Sequence, residues 1–547
     1  MCSLKKYFYM PFEIIRHNEK LLKEEKHLIK FGREAMFNVC LVYPNTYFVG
    51  MSNLGFQVIY KQINSSPNFF CDRAFYPDPG ILELYKKSKR KLMSLLTERP
   101  LQEFDIIALS ISYETDYINM PEILELAGIP PLSKDRDNSH PLIIAGGTAV
   151  SINPEVIADF VDIFVIGEGE QPLEQLLSLF SNNSGGNKNE LMLKSAGIPS
   201  VYVPSLYEVK YDDEGFIQDV KCRHDVEYPV KRSILKQVSG DVHSYILTGN
   251  TEFPDTFLIE VSRGCPFSCK FCCVNLNKPY RYVKVEKIFK SIDLGLSLTK
   301  RIGLLGAAVG SHPDLKEILH YIERKKGNVS FSSVRADVLE PEIVELFYRL
   351  GQRTITIAPE VGSDRLRHSI NKTMKNRDVL HLADCALDIG FREIRVYFMV
   401  GLPGEIDEDI QESIDLLSSL KSLAKVRGGK IVVSLNQFIP KPGTSFENEP
   451  LSSSRKVSGR IKKLKKPFAR DKIVEFRVES LKEMFLQAFL SRGSRKFSKY
   501  VLENYGISIS AIAKNIKRLE DPSIDSLVYS VIPTDKIPPW KIIAGLT

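Results

Sequence analysis

Residues 256–273 read TFLIEVSRGCPFSCKFCC. The first half is rich in β-branched and aromatic residues and predicts a strand. Gly264 and Pro266 then break it, so the cysteines fall on a loop at the strand's carboxyl end. Four cysteines lie between Cys265 and Cys273, whereas Cys2, Cys40, Cys71, Cys222 and Cys385 are scattered; the total of nine is odd. Such usage points to metal chemistry in a reducing compartment rather than to a disulfide framework. Thiolates are the ligands that iron-sulfur clusters need. The spacing C-x3-C-x2-C lets Cys265, Cys269 and Cys272 supply three of the four iron ligands of one [4Fe-4S] cubane. The open iron can then chelate the amino and carboxylate groups of a small molecule and pass it an electron. A structural zinc site would need four closed ligands, and no second cysteine or histidine pair follows at suitable spacing. Cys273 is a poor fourth ligand, because adjacent side chains on an extended backbone point apart.

From Phe257 to about Pro440, six strand patterns recur with helical segments between them: TFLIEVS, RIGLLGAAV, VSFSSVRA, RTITIAPE, REIRVYFMVG and KIVVSLNQFIP. That alternation predicts a partial (β/α)6 TIM-like barrel over 251–445, with reactive groups at the carboxyl ends of its strands. Upstream, over 36–180, the runs MFNVCLVYP, DIIALSIS, PLIIAGG and VDIFVIGEGE alternate with helical patterns such as 55–63 and 172–180. They predict an α/β domain with a doubly wound, Rossmann-like parallel sheet. Gly146, Gly147, Gly167 and Gly169 follow its strands, where such folds hold ligands; short connections alone would also explain them. Residues 1–35 form an amino-terminal helical extension in this reading. SNNSGGNKNE, 181–190, reads as a flexible loop, and the alternating residues around Asp212–Gly215 read as a hairpin within a linker, 181–250. Prolines at 440, 442, 450 and 467 interrupt the pattern, and 446–547 is expected to be mainly helical, with a helical tail from about Glu475 to Tyr505. Nine Lys/Arg and one acid occupy 455–472. That run suits a solvated helix face, a lid over an anionic cofactor, or RNA contact.

A chain of 547 residues exceeds one compact core, and 43% hydrophobic with 26% charged residues is the composition of a folded soluble protein. No uncharged apolar run approaches the roughly 18 residues that cross a bilayer. The amino terminus has no continuous apolar stretch before Glu13, so no export signal is read and a cytoplasmic location is expected. A net charge of +7 does not by itself define a nucleic-acid partner.

The cysteine loop, with Phe271 completing C-x3-C-x-aromatic-C, resembles the motif of the radical S-adenosylmethionine enzymes. The resemblance implies a [4Fe-4S] cluster on Cys265, Cys269 and Cys272, S-adenosylmethionine as co-substrate, and an electron donor such as flavodoxin or ferredoxin as partner. It also implies that Phe271 abuts the adenine, and that Gly306 and Ala307, in LLGAAVGSHPD, stand where relatives carry Gly-Gly-Glu. Ser333 and Arg335, in FSSVRAD, would bind ribose or carboxylate, Glu360 of APEVGSDRLR would sit near the nucleotide, and Gly401 of GLPGE would let the backbone approach the adenine. Each polar group among these has an alternative reading as a cap or ion-pair partner.

Residues 36–180 resemble the cobalamin-binding domain that precedes the barrel in one subgroup of that family. By this likeness cobalamin would be held by Tyr47, Ser110, Ser112, Gly146, Gly147, Gly167 and Glu168. Where many relatives have D-x-H-x-x-G, with a cobalt-ligating His, this chain reads NTYFVG, with Asn45 and Tyr47. The imidazole is absent, and a phenol is a poor substitute. Radical chemistry on an unassigned substrate, with methyl transfer if cobalamin binds, is the leading expectation. Methylthiolation of RNA or protein is an alternative, although that subgroup has three further amino-terminal cluster cysteines that Cys40 and Cys71 do not supply. A metal-stabilised RNA-binding protein without catalysis is the alternative from another class.

Overall fold

The computed structural model describes residues 2–29, 35–183, 186–331 and 333–545. A helix, α1 (Cys2–Lys23), precedes the first sheet. Six strands build that sheet: β1 (Phe37–Tyr43), β2 (Phe69–Phe75), β3 (Ile106–Ser110), β4 (Leu142–Gly146), β5 (Ile163–Val165) and β6 (Val201–Tyr202). Their order is 2-1-3-4-5-6, parallel except for β6 at the edge. This is a doubly wound sheet, and the crevice beyond its carboxyl ends is where such sheets take ligands. The strands read as near-continuous Val/Ile/Leu runs because both faces are covered. Helices α2 (Leu54–Ser65) and α3 (Glu170–Asn182) flank it. The other face is closed by the end of the chain: Phe489, Phe497, Tyr500 and Trp540 join Ile107, Ile143 and Phe164 in one buried core.

The loop expected over 181–190 is shorter than its composition suggests. The helix α3 runs to Asn182, and α4 (Lys188–Ser195) starts with Asn187 accepting from the Glu190 N–H; residues 184–185 lie outside the described residues. The predicted hairpin is present as β7 (Tyr207–Tyr211) and β8 (Ile217–Cys222), paired antiparallel.

The second sheet begins with β9 (Thr256–Glu260), β10 (Arg301–Leu305) and β11 (Asn328–Phe331), all parallel. It continues with β12 (Thr354–Glu360), β13 (Glu393–Val400), β14 (Lys430–Gln437) and β15 (Val474–Val478), also parallel. A parallel bridge between Val334 and Ile357 joins the two groups. All six predicted strands are there, in an open barrel-like arch. The seventh, VEFRV, was expected to begin a helix. Its alternation instead pairs it with β14, and the helix α6 (Leu481–Arg492) starts later. Between them the basic run forms α5 (Ser454–Lys465) and the turn after it. Among the described residues, no helix is long and apolar enough to cross a membrane.

Candidate active site

The cysteine loop is closed at its base by a short antiparallel ladder, Ser262 opposite Tyr282 and Arg263 opposite Arg281. Everything from Gly264 to Tyr280 therefore projects from the carboxyl end of β9. Cys265, Cys269 and Cys272 are partly buried, unpaired thiols. Burial pushes the Cys269 thiol up, opposed by the cations of Lys372 and Arg335, and burial carries Cys272 to about 11. Each of these two thiols also feels Cys265 and Glu360, so the three thiols and the acid share one electrostatic environment. Among the described residues, no three Cys, His, Asp or Glu side chains are drawn together as a single ion would require. A cubane makes a different demand, since its three thiolates bind three different irons. Three thiols on one closed loop, with two cations beside them to favour the thiolate, fit that donor set.

Around the loop the expected residues fall into two groups. Phe271 packs on a small apolar cluster of Val361, Leu366, Ile370, Leu402 and Phe438, with Lys372 Nζ 6.0 Å from its ring centroid. Glu360 ends β12 in the left-handed region, φ 68°, at a register shift, and accepts from Lys372 Nζ at 2.6 Å. A non-glycine residue in that conformation stores roughly 1–3 kcal/mol. Lys372 is 6% exposed and was not among the expected residues, because nothing in NKTMK marks a lysine that tertiary packing returns to a loop a hundred residues upstream. Arg335 stacks on Phe267 at 3.8 Å, but its fork is taken bidentately by Asp337 at 3.0 and 2.6 Å. Ser333 and Ala307 are exposed. The Gly401 N–H donates to Glu405 at 2.7 Å, so that donor serves its own turn.

The second group lines a cavity of about 430 Å³ between the two sheets. Ser110, Ser112, Gly146, Gly147, Gly167 and Glu168 reach it from the first sheet, and Glu260, Leu305 and Gly306 from the second. The carboxyl ends of both sheets thus open on one space. Cys273, which opens a short 3-10 turn, lines it as well, so adjacent cysteines serve different surroundings. Gly147 is there for steric reasons: at φ 119° a Cβ would meet the Ile111 carbonyl oxygen at 2.3 Å.

Glu168 does not offer its carboxylate to the cavity. It is buried, and Arg281 takes both its oxygens at 2.7 and 2.9 Å while the Leu235 N–H donates to it at 2.7 Å. Arg263 is shared by Glu260 at 2.7 Å, Glu170 at 2.9 Å and Glu168 at 3.5 Å. This network ties the first sheet to the base of the cysteine loop. Tyr47, expected among the ligand-holding residues, lies elsewhere: its hydroxyl donates to Glu25 at 2.7 Å and its ring packs on Phe75. Asn45 donates to Asp116 at 2.8 Å. A buried carboxylate captures the side chains of both Asn45 and Tyr47.

The sequence of residues 259–417 matches the model of the radical SAM superfamily, and that of 55–204 matches the family of radical SAM proteins, N-terminal. An uncharacterized protein of Methanocaldococcus jannaschii is 30% identical over 89% of this chain and 97% of its own. The ribosomal protein uS12 methylthiotransferase RimO of Thermosipho melanesiensis is 21% identical over 67% of this chain and 82% of its own. Among solved structures, the cobalamin-dependent S-adenosylmethionine radical enzyme OxsB aligns at 16% identity with a TM-score of 0.48, over 70% of this chain and about half, 52%, of that one. The chain belongs to the radical SAM superfamily, whose members are enzymes that carry a [4Fe-4S] cluster and use S-adenosylmethionine.

Proposed function

We propose that Cys265, Cys269 and Cys272 hold the cluster, that S-adenosylmethionine lies over it against Phe271, and that the cavity between the sheets takes cobalamin, making this a cobalamin-dependent radical enzyme that transfers a methyl group. When bound, the cluster supplies the electron that cleaves S-adenosylmethionine and the corrinoid supplies a methyl carrier. The carrying observation is the single cavity of about 430 Å³ on which the carboxyl ends of both sheets open, reaching Cys273 beside Cys272. The chain's own residues do the rest. Glu360 and Lys372, paired and largely buried, hold a charged rim against the thiols. Gly146 and Gly147 let a planar ligand approach the backbone, and Leu41, Val58 and Ile59 keep water from its face. Asn45 and Tyr47 are both engaged away from the cavity, so a corrinoid held here receives no ligand from that segment.

The test is anaerobic reconstitution with iron, sulfide and hydroxocobalamin, followed by gel filtration. Corrinoid absorbance should travel with the protein, and Gly147→Val should lose it. A wild-type protein that loads iron and sulfide but retains no corrinoid contradicts the cobalamin half of the proposal.

The second reading is methylthiolation of RNA or a ribosomal protein, favoured by the likeness to a protein named as a uS12 methylthiotransferase. Cys40 and Cys71 weigh against a second cluster in the first sheet. Both are buried on adjacent paired strands with their thiols pushed up by burial.

A further inference from the structure

Two arginines line the cavity, and their surroundings differ. Arg263 is matched by three carboxylates. Among the described residues Arg232 is matched by none: its Nη2 donates to the Ser151 carbonyl at 2.6 Å, and its Nε is buried with no hydrogen-bond partner among them. Burial lowers its pKa to about 10, with only the neighbouring Cys273 thiol acting in the other direction.

The position of Arg232 is built. The Ser233 N–H donates to the Ile166 carbonyl, and the Glu168 N–H donates back to the Ser233 carbonyl, each at 2.9 Å. Val230 is tied at 2.9 Å to the Ile542 carbonyl near the end of the chain. Gly167 makes room for the side chain, since a Cβ there would stand 2.7 Å from Arg232 Cγ. An unpaired cation taken out of water is unfavourable unless something brings it a counter-charge. The carboxylates on the same wall, Glu168, Glu170 and Glu260, each lie against Arg263 or Arg281, and none of them reaches Arg232 within ion-pair distance. A guanidinium fork matches the paired oxygens of a phosphate.

We propose that Arg232 binds a phosphate group on the molecule that fills the cavity; on the corrinoid reading, on which this part rests, that group is the phosphodiester of the nucleotide tail. Cobinamide and cobinamide phosphate, which differ in that charge alone, decide it. The wild-type holoprotein should bind the phosphate form about tenfold to a hundredfold more tightly, as a charge-assisted hydrogen bond allows. Arg232→Met should erase the preference, and Arg232→Lys should keep part of it. Arg232→Met should also leave the melting temperature unchanged or higher, because it removes a half-buried charge that no carboxylate meets; a purely structural arginine would lower it. Equal affinities of the wild type for the two ligands overturn the proposal. If neither corrinoid binds, the corrinoid reading fails and pyrophosphate decides the anion site by calorimetry: saturable binding that Arg232→Met abolishes supports it, and no binding overturns it.

Discussion

Asp116→Asn should change how stability depends on pH. Asp116 follows β3, is 2% exposed, accepts from Asn45 Nδ2 at 2.8 Å through one oxygen, and leaves the other buried without a partner. Burial raises its pKa from 3.8 to about 7, with the Asn45 hydrogen bond opposing and Glu114 assisting. A folded-state value above the unfolded one means that the native protein holds this proton more tightly. The associated stability is complete below about pH 4 and is lost as pH rises through 7. Converted at about 1.4 kcal/mol per pH unit, the loss by pH 8 is about 4 kcal/mol. Asparagine keeps the shape and the acceptor but carries no proton to lose. Urea midpoints measured between pH 5 and 8.5 should therefore show the variant gaining on the wild type by about 3 kcal/mol between pH 5 and pH 8. A difference that stays flat across that range would refute the reasoning, because it would mean that Asp116 is not held neutral by its surroundings.

Three other outcomes follow. Arg281→Met should destabilise by about 3 kcal/mol, the low end for breaking a buried pair, since Arg263 still stands 3.5 Å from Glu168. With Glu168→Met the double variant should fall well short of the summed single effects, and strict additivity in a denaturation cycle would count against the pairing. Gly147→Ala should lose more than about 2 kcal/mol through its positive φ and the 2.3 Å approach to the Ile111 carbonyl, read as a lowered urea midpoint. Lys372→Met should leave iron content unchanged but weaken S-adenosylmethionine binding about tenfold in equilibrium dialysis, since Glu360 loses its 2.6 Å partner; lost iron would make Lys372 structural instead.

The two sheets were legible in the sequence because buried parallel strands are short apolar runs at regular spacing, and MFNVCLVYP and RTITIAPE carry that signal within themselves. VEFRV was misread because it follows a long basic helix, and only its pairing with β14 separates a strand from a helix start. The cysteine loop was legible for the same local reason. What escaped was long-range. Glu25 captures Tyr47 from the segment that follows α1, and Lys372 and Arg232 come to the site on connections whose course only packing sets; the hold of Asp337 on Arg335, two residues away, is local by contrast. The cavity belongs to no segment of sequence, since it exists only where the carboxyl ends of the two sheets face each other.

Cys265, Cys269 and Cys272 are proposed above to support reductive cleavage of S-adenosylmethionine. The most direct test is the yield of 5'-deoxyadenosine from anaerobically reconstituted protein given dithionite and S-adenosylmethionine, for the wild type beside Cys269→Ala. Product is expected from the wild type and none above background from the variant. Equal yields from the two would contradict it.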